Sequence, residues 1–203
     1  LGDLSLEIAE TFLLIKKGRS DLETGLPNSI HFYDMLARLT DKKTPSVILI
    51  ELFPKARSAL DAQIHKARSV RSLKSCLGGI SSLFYLGHHV YGLLLPGSEK
   101  QSCKVIARRV FSWLRRDGFR KIHIGLRWGG LIHSDTKTDN HKEVFEQVNF
   151  ALHTARRRGP FSLCDYSHLS NPEKHPLRKP SKALLAKFRR RWKDFESFSI
   201  IEL

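Results

Sequence analysis

The stretch Ser81-Ser-Leu-Phe-Tyr-Leu-Gly-His-His-Val-Tyr-Gly-Leu-Leu-Leu-Pro-Gly97 decides how the rest of the chain is organised. It contains two short apolar runs, residues 83–86 and 90–95, separated by Gly87-His88. Glycine at the first central position favours a tight two-residue hairpin turn, and Pro96-Gly97 ends the second run. Apolar runs this dense predict a central hairpin that is covered on at least one face and presents its tip to solvent.

Length and composition indicate one globular domain with a helical appendage. The chain has 203 residues, of which 41% are hydrophobic, and this is enough to bury a sizeable core. No run approaches eighteen apolar residues, so no membrane span is expected. Cys76, Cys103 and Cys164 are far apart and form no CxxC pair, which argues against a disulfide framework or a thiolate zinc site. We therefore expect a reducing, cytoplasmic location.

Charge is the strongest compositional signal. The formal net charge is +15 and the pI is about 10.0. Such a field attracts nucleic acid, nucleotides, anionic lipid or an acidic protein. The basic residues are spread over several predicted helices without a recognisable reading motif, so nucleic-acid binding is an alternative and is not favoured. An acidic protein partner fits the charge best.

Apolar periodicity predicts the remaining elements. We expect helices over residues 1–17, 30–40, 55–77, 100–116 and 143–157, and strands over residues 47–53, 122–126 and 161–164. Together with the hairpin, this order predicts an α/β fold, more specifically an α+β sandwich in which helices flank a central, mostly antiparallel sheet.

Two of the predicted helices have informative surfaces. The helix over 55–77 is expected to bury one apolar stripe: Leu60, Ile64, Ala67, Val70, Leu73 and Leu77. The helix over 100–116 is expected to expose one basic stripe, in which arginines recur seven residues apart: Arg108, Arg109, Arg115 and Arg116. These arginines are candidates for binding a dinucleotide or another anion, since guanidinium groups suit phosphates. A solvated basic face is the alternative.

Composition changes after Asp165. We expect residues 1–18 to form an N-terminal helix and linker, residues 19–167 the domain, and residues 168–203 a proline-containing linker and a basic C-terminal helix. The candidate partner-binding residues in that last helix are Arg189, Arg190, Arg191 and Trp192. The segment can fold back on the domain, bind a partner or pair with a second copy, so monomer and homodimer both stay open.

Four segments, in this order and at this spacing, resemble the GGDEF (diguanylate cyclase) family over about residues 21–166. Asp21-Leu-Glu-Thr-Gly-Leu-Pro-Asn28 is similar to the family's D-x-L-T-G-L-P-N opening. Gly87-His-His-Val-Tyr91 falls where the family has its signature hairpin. Leu126-Arg-Trp-Gly129 lies at the family's v-S-i-G, and residues 148–159 follow its closing helix. The resemblance implies a nucleotide-cyclase-like sandwich.

The departures from the family pattern concern the residues that would hold metal. In active members, the third hairpin position is an acid that helps to bind two metal ions, and here His89 and Val90 replace that acid and its neighbour. His88 replaces the second glycine. Glu51 and Phe53 stand at the two acid positions of the upstream strand, so Glu51 alone would be a weak cation ligand. The resemblance therefore implies no cyclase activity, because phosphoryl transfer needs positioning and charge neutralisation together.

The family's product site is also altered. Many members bind cyclic di-GMP at an R-x-x-D motif before the hairpin, and those two positions hold Gly78 and Ser81 here. The family often adds an arginine from the helix after the hairpin, and Arg108 or Arg109 lies about there. A cyclic-di-GMP receptor with a remodelled arginine site is therefore an alternative function.

No metal site and no cofactor are expected. The adjacent His88 and His89 would point apart on a strand, and none of the histidines has the i, i+4 helical spacing of a zinc pair. Taken together, the sequence predicts a catalytically inactive regulatory module in cyclic-di-GMP-linked bacterial signalling that binds a protein partner. Its degenerate signature hairpin comprises Gly87, His88, His89, Val90 and Tyr91.

Overall fold

The computed structural model describes residues 18–53, 58–78, 82–97, 100–130 and 140–169. Contacts divide the chain into two units, residues 1–169 and 170–203, and every described residue belongs to the first. The predicted helix over 1–17 and the C-terminal candidates, Arg189, Arg190, Arg191 and Trp192, lie outside the described residues.

Five strands form one sheet: β1 (Ser46–Leu52), β2 (Leu83–Tyr85), β3 (Val90–Leu95), β4 (Ile122–Arg127) and β5 (Phe161–Asp165). Their order across the sheet is β2-β3-β1-β4-β5. β4 and β5 are parallel, and the other neighbours are antiparallel. The predicted α/β fold with a mostly antiparallel sheet and an inserted hairpin is confirmed.

In the described part of the chain, four helices flank the sheet: α1 (Ser29–Thr40), α2 (Ala59–Leu77), α3 (Lys100–Arg116) and α4 (His141–Arg158). Three of them begin after a residue whose side chain accepts a hydrogen bond from a first-turn amide: Asn28 before α1, Ser58 before α2 and Asn140 before α4. Such caps satisfy amides that have no partner within the helix. In the part of the chain that the structure describes, no helix has the length and apolar character needed to cross a bilayer.

The sheet is covered on both faces, so β1 is buried along its whole length. Ile48, Ile50 and Leu52 point toward the core layer that includes α2 and α3. The alternating Val47 and Leu49 point to the other layer, with α1 and α4. This follows from the two-residue period of a strand, and it explains why the sequence of β1 is apolar throughout.

The prediction that α2 buries one continuous stripe is wrong for its first half. Leu60 and Ile64 are 64% and 59% exposed, and Ala67 is exposed as well, whereas Val70, Leu73 and Leu77 are buried. Successive helical residues advance by about 100°, so the first three side chains lie roughly 110° around the helix from the last three. Only the second group faces the core.

Candidate functional site at the hairpin tip

The hairpin turn differs from the prediction by one residue. The amide of Val90 donates to the carbonyl of Gly87 at 2.9 Å, so the two central residues are His88 and His89 rather than Gly87 and His88. Both histidines have positive φ, +48° and +61°. Histidine tolerates this left-handed region better than β-branched residues do, but it still carries strain there.

Hydrogen bonds of the backbone and of one tyrosine hydroxyl fix the tip against the rest of the sheet. The carbonyl of His89 accepts from the amide of Leu52 at 3.0 Å, and the hydroxyl of Tyr85 accepts from the amide of His89 at 3.5 Å. The amide of Tyr85 in turn donates to the carbonyl of Pro27 at 2.9 Å, in the loop that precedes α1. The tip therefore lies directly beside the end of β1, which carries Glu51.

Glu51 is the centre of a buried ion cluster. Arg156 of α4 donates from Nε to Oε2 and from Nη2 to Oε1, each at 2.5 Å, in a two-point geometry that matches a carboxylate. His123 lies opposite Glu51 in the β1–β4 register, and its Nδ1 is 3.0 Å from Oε2. The side chain of Glu51 is 4% exposed and that of Arg156 is 27% exposed. Both carboxylate oxygens are therefore already engaged by protein cations or imidazole.

A second group of side chains connects the tip to α2. The ring of His89 meets the ring of His65 edge-on, with centroids 6.1 Å apart, and His65 also packs against Phe119. Burial lowers the pKa of His89, and nearby Lys66 and His88 lower it further while Glu51 acts in the opposite direction. Burial also lowers the pKa of His65, assisted by His89. Both imidazoles are therefore held toward the neutral form.

These residues do not fit the magnesium ions that the fold family implies. Magnesium prefers oxygen ligands in near-octahedral geometry, and Glu51, the acid near the end of β1 beside the tip, has both oxygens held by Arg156. Phe53 and His89 stand at the other positions where the family pattern has metal-binding acids. Within residues 18–53, 58–78, 82–97, 100–130 and 140–169, no group of three or more His, Cys, Asp or Glu side chains could hold a metal ion.

The four candidate arginines of α3 are all exposed. They do not act on one common neighbour, because Arg115 lies over the ring of Phe161 at 5.5 Å, whereas Arg109 and Arg116 act on the thiol of Cys76 in α2. Burial raises the pKa of this thiol, and the two arginines oppose that rise. The structure thus places the candidates on different flanks of α3.

A cleft of about 410 Å³ lies where α2 ends and β2 begins. It is lined by Gly25, Leu26, Pro27, Lys74, Leu77, Gly78, Ser82 and Leu83. Gly78, at the position of the family's product-binding arginine, ends α2 with φ +56°. Lys74 is the one charged side chain among the described lining residues, and this part of the cleft offers a dinucleotide little recognition chemistry.

Sequence reasoning identified the hairpin and Glu51 but missed His65, His123 and Arg156. Arg156 lies in the last turn of α4, where a cation complements the helix dipole, and this position by itself indicates no further role. The signal that could have found His123 was register: pairing the predicted strands antiparallel places it across from Glu51. The sequence alone contained no comparable signal for Arg156, which lies 105 residues from Glu51.

No protein-family model matches the sequence, and no curated protein matches it. Solved structures, in contrast, are similar to it in fold. The GGDEF domain of a truncated TpbB (YfiN) from Pseudomonas aeruginosa has a TM-score of 0.59 and 18% identity, covering 72% of this chain and 94% of that one. SiaD, a diguanylate cyclase from Pseudomonas aeruginosa in complex with its activator SiaC, has a TM-score of 0.61 and 16% identity, covering 81% and 68%.

A third match is the S helix-GGDEF-EAL portion of Vibrio cholerae LapD bound to c-di-GMP, with a TM-score of 0.61 and 12% identity. The match covers 80% of this chain but 40% of the LapD chain. At identities this low, the similarity establishes the fold and leaves the activity to the site itself. The α/β sandwich described above has the fold of a GGDEF domain.

Proposed function

We propose that this protein is a catalytically inactive GGDEF-like module that acts in bacterial cyclic-di-GMP signalling by binding a protein partner in the cytoplasm. One observation carries the proposal: Glu51, which stands at a metal-binding position of the family pattern, is held at both oxygens by Arg156. A metal ion would have to displace a buried two-point ion pair to reach it. Phosphoryl transfer by this fold needs metal to neutralise developing charge, so the arrangement favours a binding role.

Protein binding is supported by charge and by precedent. The chain has a net charge of +15, which favours an acidic partner over a neutral one. SiaD, a diguanylate cyclase with this fold, was solved in complex with its activator SiaC. That complex is a precedent for the docking of another protein by this fold.

Turnover measurements test the inactivity directly. The full chain is incubated with GTP and either Mg²⁺ or Mn²⁺, and dinucleotide product is separated chromatographically. We expect none above a protein-free blank. Product formation that disappears in a Glu51→Ala variant would overturn the proposal, since it would show that the carboxylate is available for catalysis.

A cyclic-di-GMP receptor is the second candidate function. It is favoured by the exposed Arg109 and Arg116, which share one flank of α3 beside α2. Calorimetric titration with cyclic di-GMP at physiological salt distinguishes the two functions. We expect no heat of binding. Micromolar binding that is weakened by Arg109→Ala but retained in Lys42→Ala, an exposed lysine of the α1–β1 loop, would favour the receptor.

A further inference from the structure

The exposed side of α2 is an unusual surface for a helix that packs on a sheet. Leu60 and Ile64 are more than half exposed, and the exposed Ala67 continues the same row. Arg71 and Lys74, both exposed, extend the row toward the end of the helix. We call these five residues the α2 stripe.

Helical geometry places the α2 stripe on the side of α2 that faces away from the core. Its members are spaced by four, three, four and three residues, so they stay within about 40° of one line along the helix. The buried Ser69, Leu73 and Cys76 lie on the opposite side. Core packing therefore gives no reason for aliphatic side chains at positions 60 and 64.

The basic half of the α2 stripe has no counter-charge among the residues that the structure describes. Of the other α2 cations, Lys66 pairs with Glu23 and Arg68 donates to the carbonyl of Asp117. Arg71 and Lys74, in contrast, have no ion-pair partner among the described residues. Unpaired cations beside exposed aliphatic side chains favour an occupant that combines apolar and acidic groups.

We propose that the α2 stripe is the docking surface for an acidic amphipathic helix of a partner protein. The proposal rests on the proposed function and names the surface and the chemistry of the partner. The stripe runs from Leu60 to Lys74, about 21 Å at 1.5 Å per residue, which matches a four-turn helix. Its four- and three-residue spacing is that of a helix–helix seam. The partner helix would place aliphatic side chains on Leu60 and Ile64 and carboxylates near Arg71 and Lys74.

A second copy of this chain fits the α2 stripe poorly. Parallel pairing of two α2 helices would place Arg71 against its own copy, and antiparallel pairing would place Leu60 against Lys74. The net charge of +15 adds long-range repulsion between copies. The charge of the stripe therefore selects a different, acidic molecule.

Three synthetic helical peptides of about 20 residues test the proposal. They share one aliphatic heptad stripe, and their flanking positions are all Glu, all Gln or all Lys. Binding to the full chain is followed by fluorescence anisotropy at physiological salt. We expect the Glu peptide to bind at least tenfold more tightly than the Lys peptide. Ile64→Glu should weaken it at least tenfold, and the double variant Arg71→Glu, Lys74→Glu should reverse the preference.

Val105→Glu is the matched control, because Val105 is an exposed aliphatic residue on α3 at 54% exposure. It should leave peptide binding unchanged. All variants are checked by thermal unfolding, and the double charge reversal keeps the test valid if Ile64→Glu fails to fold. Equal binding of the three peptides, or equal binding to parent and Ile64→Glu, would overturn the proposal.

A competing occupant is tested in the same assay. A peptide with the sequence of residues 1–17, which carries Asp3, Glu7 and Glu10, is added as a competitor. The comparison competitor is unlabelled Glu peptide. If the 1–17 peptide displaces the labelled Glu peptide at a lower concentration than unlabelled Glu peptide does, the stripe is assigned to this chain's own segment and docking of a partner is overturned. The two proposals fail on different results. GTP turnover would contradict the proposed function. Equal binding of the three peptides would contradict the docking surface and would leave the proposed inactivity of the module unaffected.

Discussion

At the residue scale, the decisive feature is that Arg156 holds Glu51. A buried carboxylate is tolerated only when its charge is compensated, and here the two-point guanidinium and the imidazole of His123 compensate it. Because side chains alternate along β1, Glu51 lies on the same face of the sheet as Val47 and Leu49, against α4. Under the proposed function, this carboxylate stabilises the fold instead of holding metal.

Replacement of Arg156 by Gln should be strongly destabilising. It would leave Glu51 with His123 as its remaining polar partner, and we expect the free energy of unfolding to fall by about 3 kcal/mol, the lower end for a broken buried pair because Arg156 is partly exposed. Urea denaturation at neutral pH measures the change. Arg157→Gln, at the exposed neighbouring position, is the control and should stay within about 0.5 kcal/mol of the parent.

The double variant Glu51→Gln, Arg156→Gln separates pairing from packing. We expect it to be more stable than Arg156→Gln alone, since neither charge is then buried without its partner. The single variants Glu51→Gln and Arg156→Gln complete the comparison. If their effects on the free energy of unfolding were additive in the double variant, the carboxylate and the guanidinium would not interact in the way that the geometry indicates.

At the element scale, a contact between two imidazole rings joins α2 to the hairpin tip. His65 of α2 meets His89 of the tip, and Lys66 and Arg68 of α2, His88 of the tip and Glu51 of β1 act on this pair. Glu51 alone among these groups favours protonation of His89. The contact is therefore most stable when both imidazoles are neutral.

Acidification should weaken this contact. The pKa values of His65 and His89 lie below their usual 6.5 in the folded protein, so the unfolded chain takes up protons first as the pH falls below about 6.5. The free energy of unfolding should fall from about pH 7.5 to about pH 5.5, and the double variant His65→Gln, His89→Gln should show a shallower fall. His168→Gln, at an exposed site, is the control and should keep the parent slope. An unchanged slope in the double variant would contradict the prediction.

The packing of α4 on the sheet depends on one glycine. A Cβ at Gly125 of β4 would lie 2.5 Å from the amide nitrogen of Leu152 and 2.7 Å from the carbonyl oxygen of Val148. Gly125→Ala should therefore push α4 away and lower the free energy of unfolding by about 2 kcal/mol. Thermal unfolding measures it against Ser112→Ala, an exposed position of α3 that should change little. An equally small effect at Gly125 would mean that α4 can shift without cost.

At the scale of the whole molecule, the charge of +15 has consequences that no single residue decides. We expect the chain to bind a 20-base-pair DNA duplex without sequence preference at low salt. Affinity should fall steeply between about 50 and 200 mM salt, because such binding comes from counterion release. Fluorescence anisotropy with two unrelated duplexes and a salt series measures this. A sequence preference that survives at high salt would contradict the prediction and favour a nucleic-acid function.

The sequence by itself determined the order of the elements, the presence of the hairpin and the exposed arginine face of α3. These features depend on neighbours within a turn or a strand, so apolar period and turn chemistry encode them. The tertiary structure alone decided three others. They are the pairing of Glu51 with Arg156, the contact of His65 with His89, and the exposure of Leu60 and Ile64. Each depends on strand register and on where a helix crosses the sheet, and these are set by packing of the whole chain rather than by any local pattern.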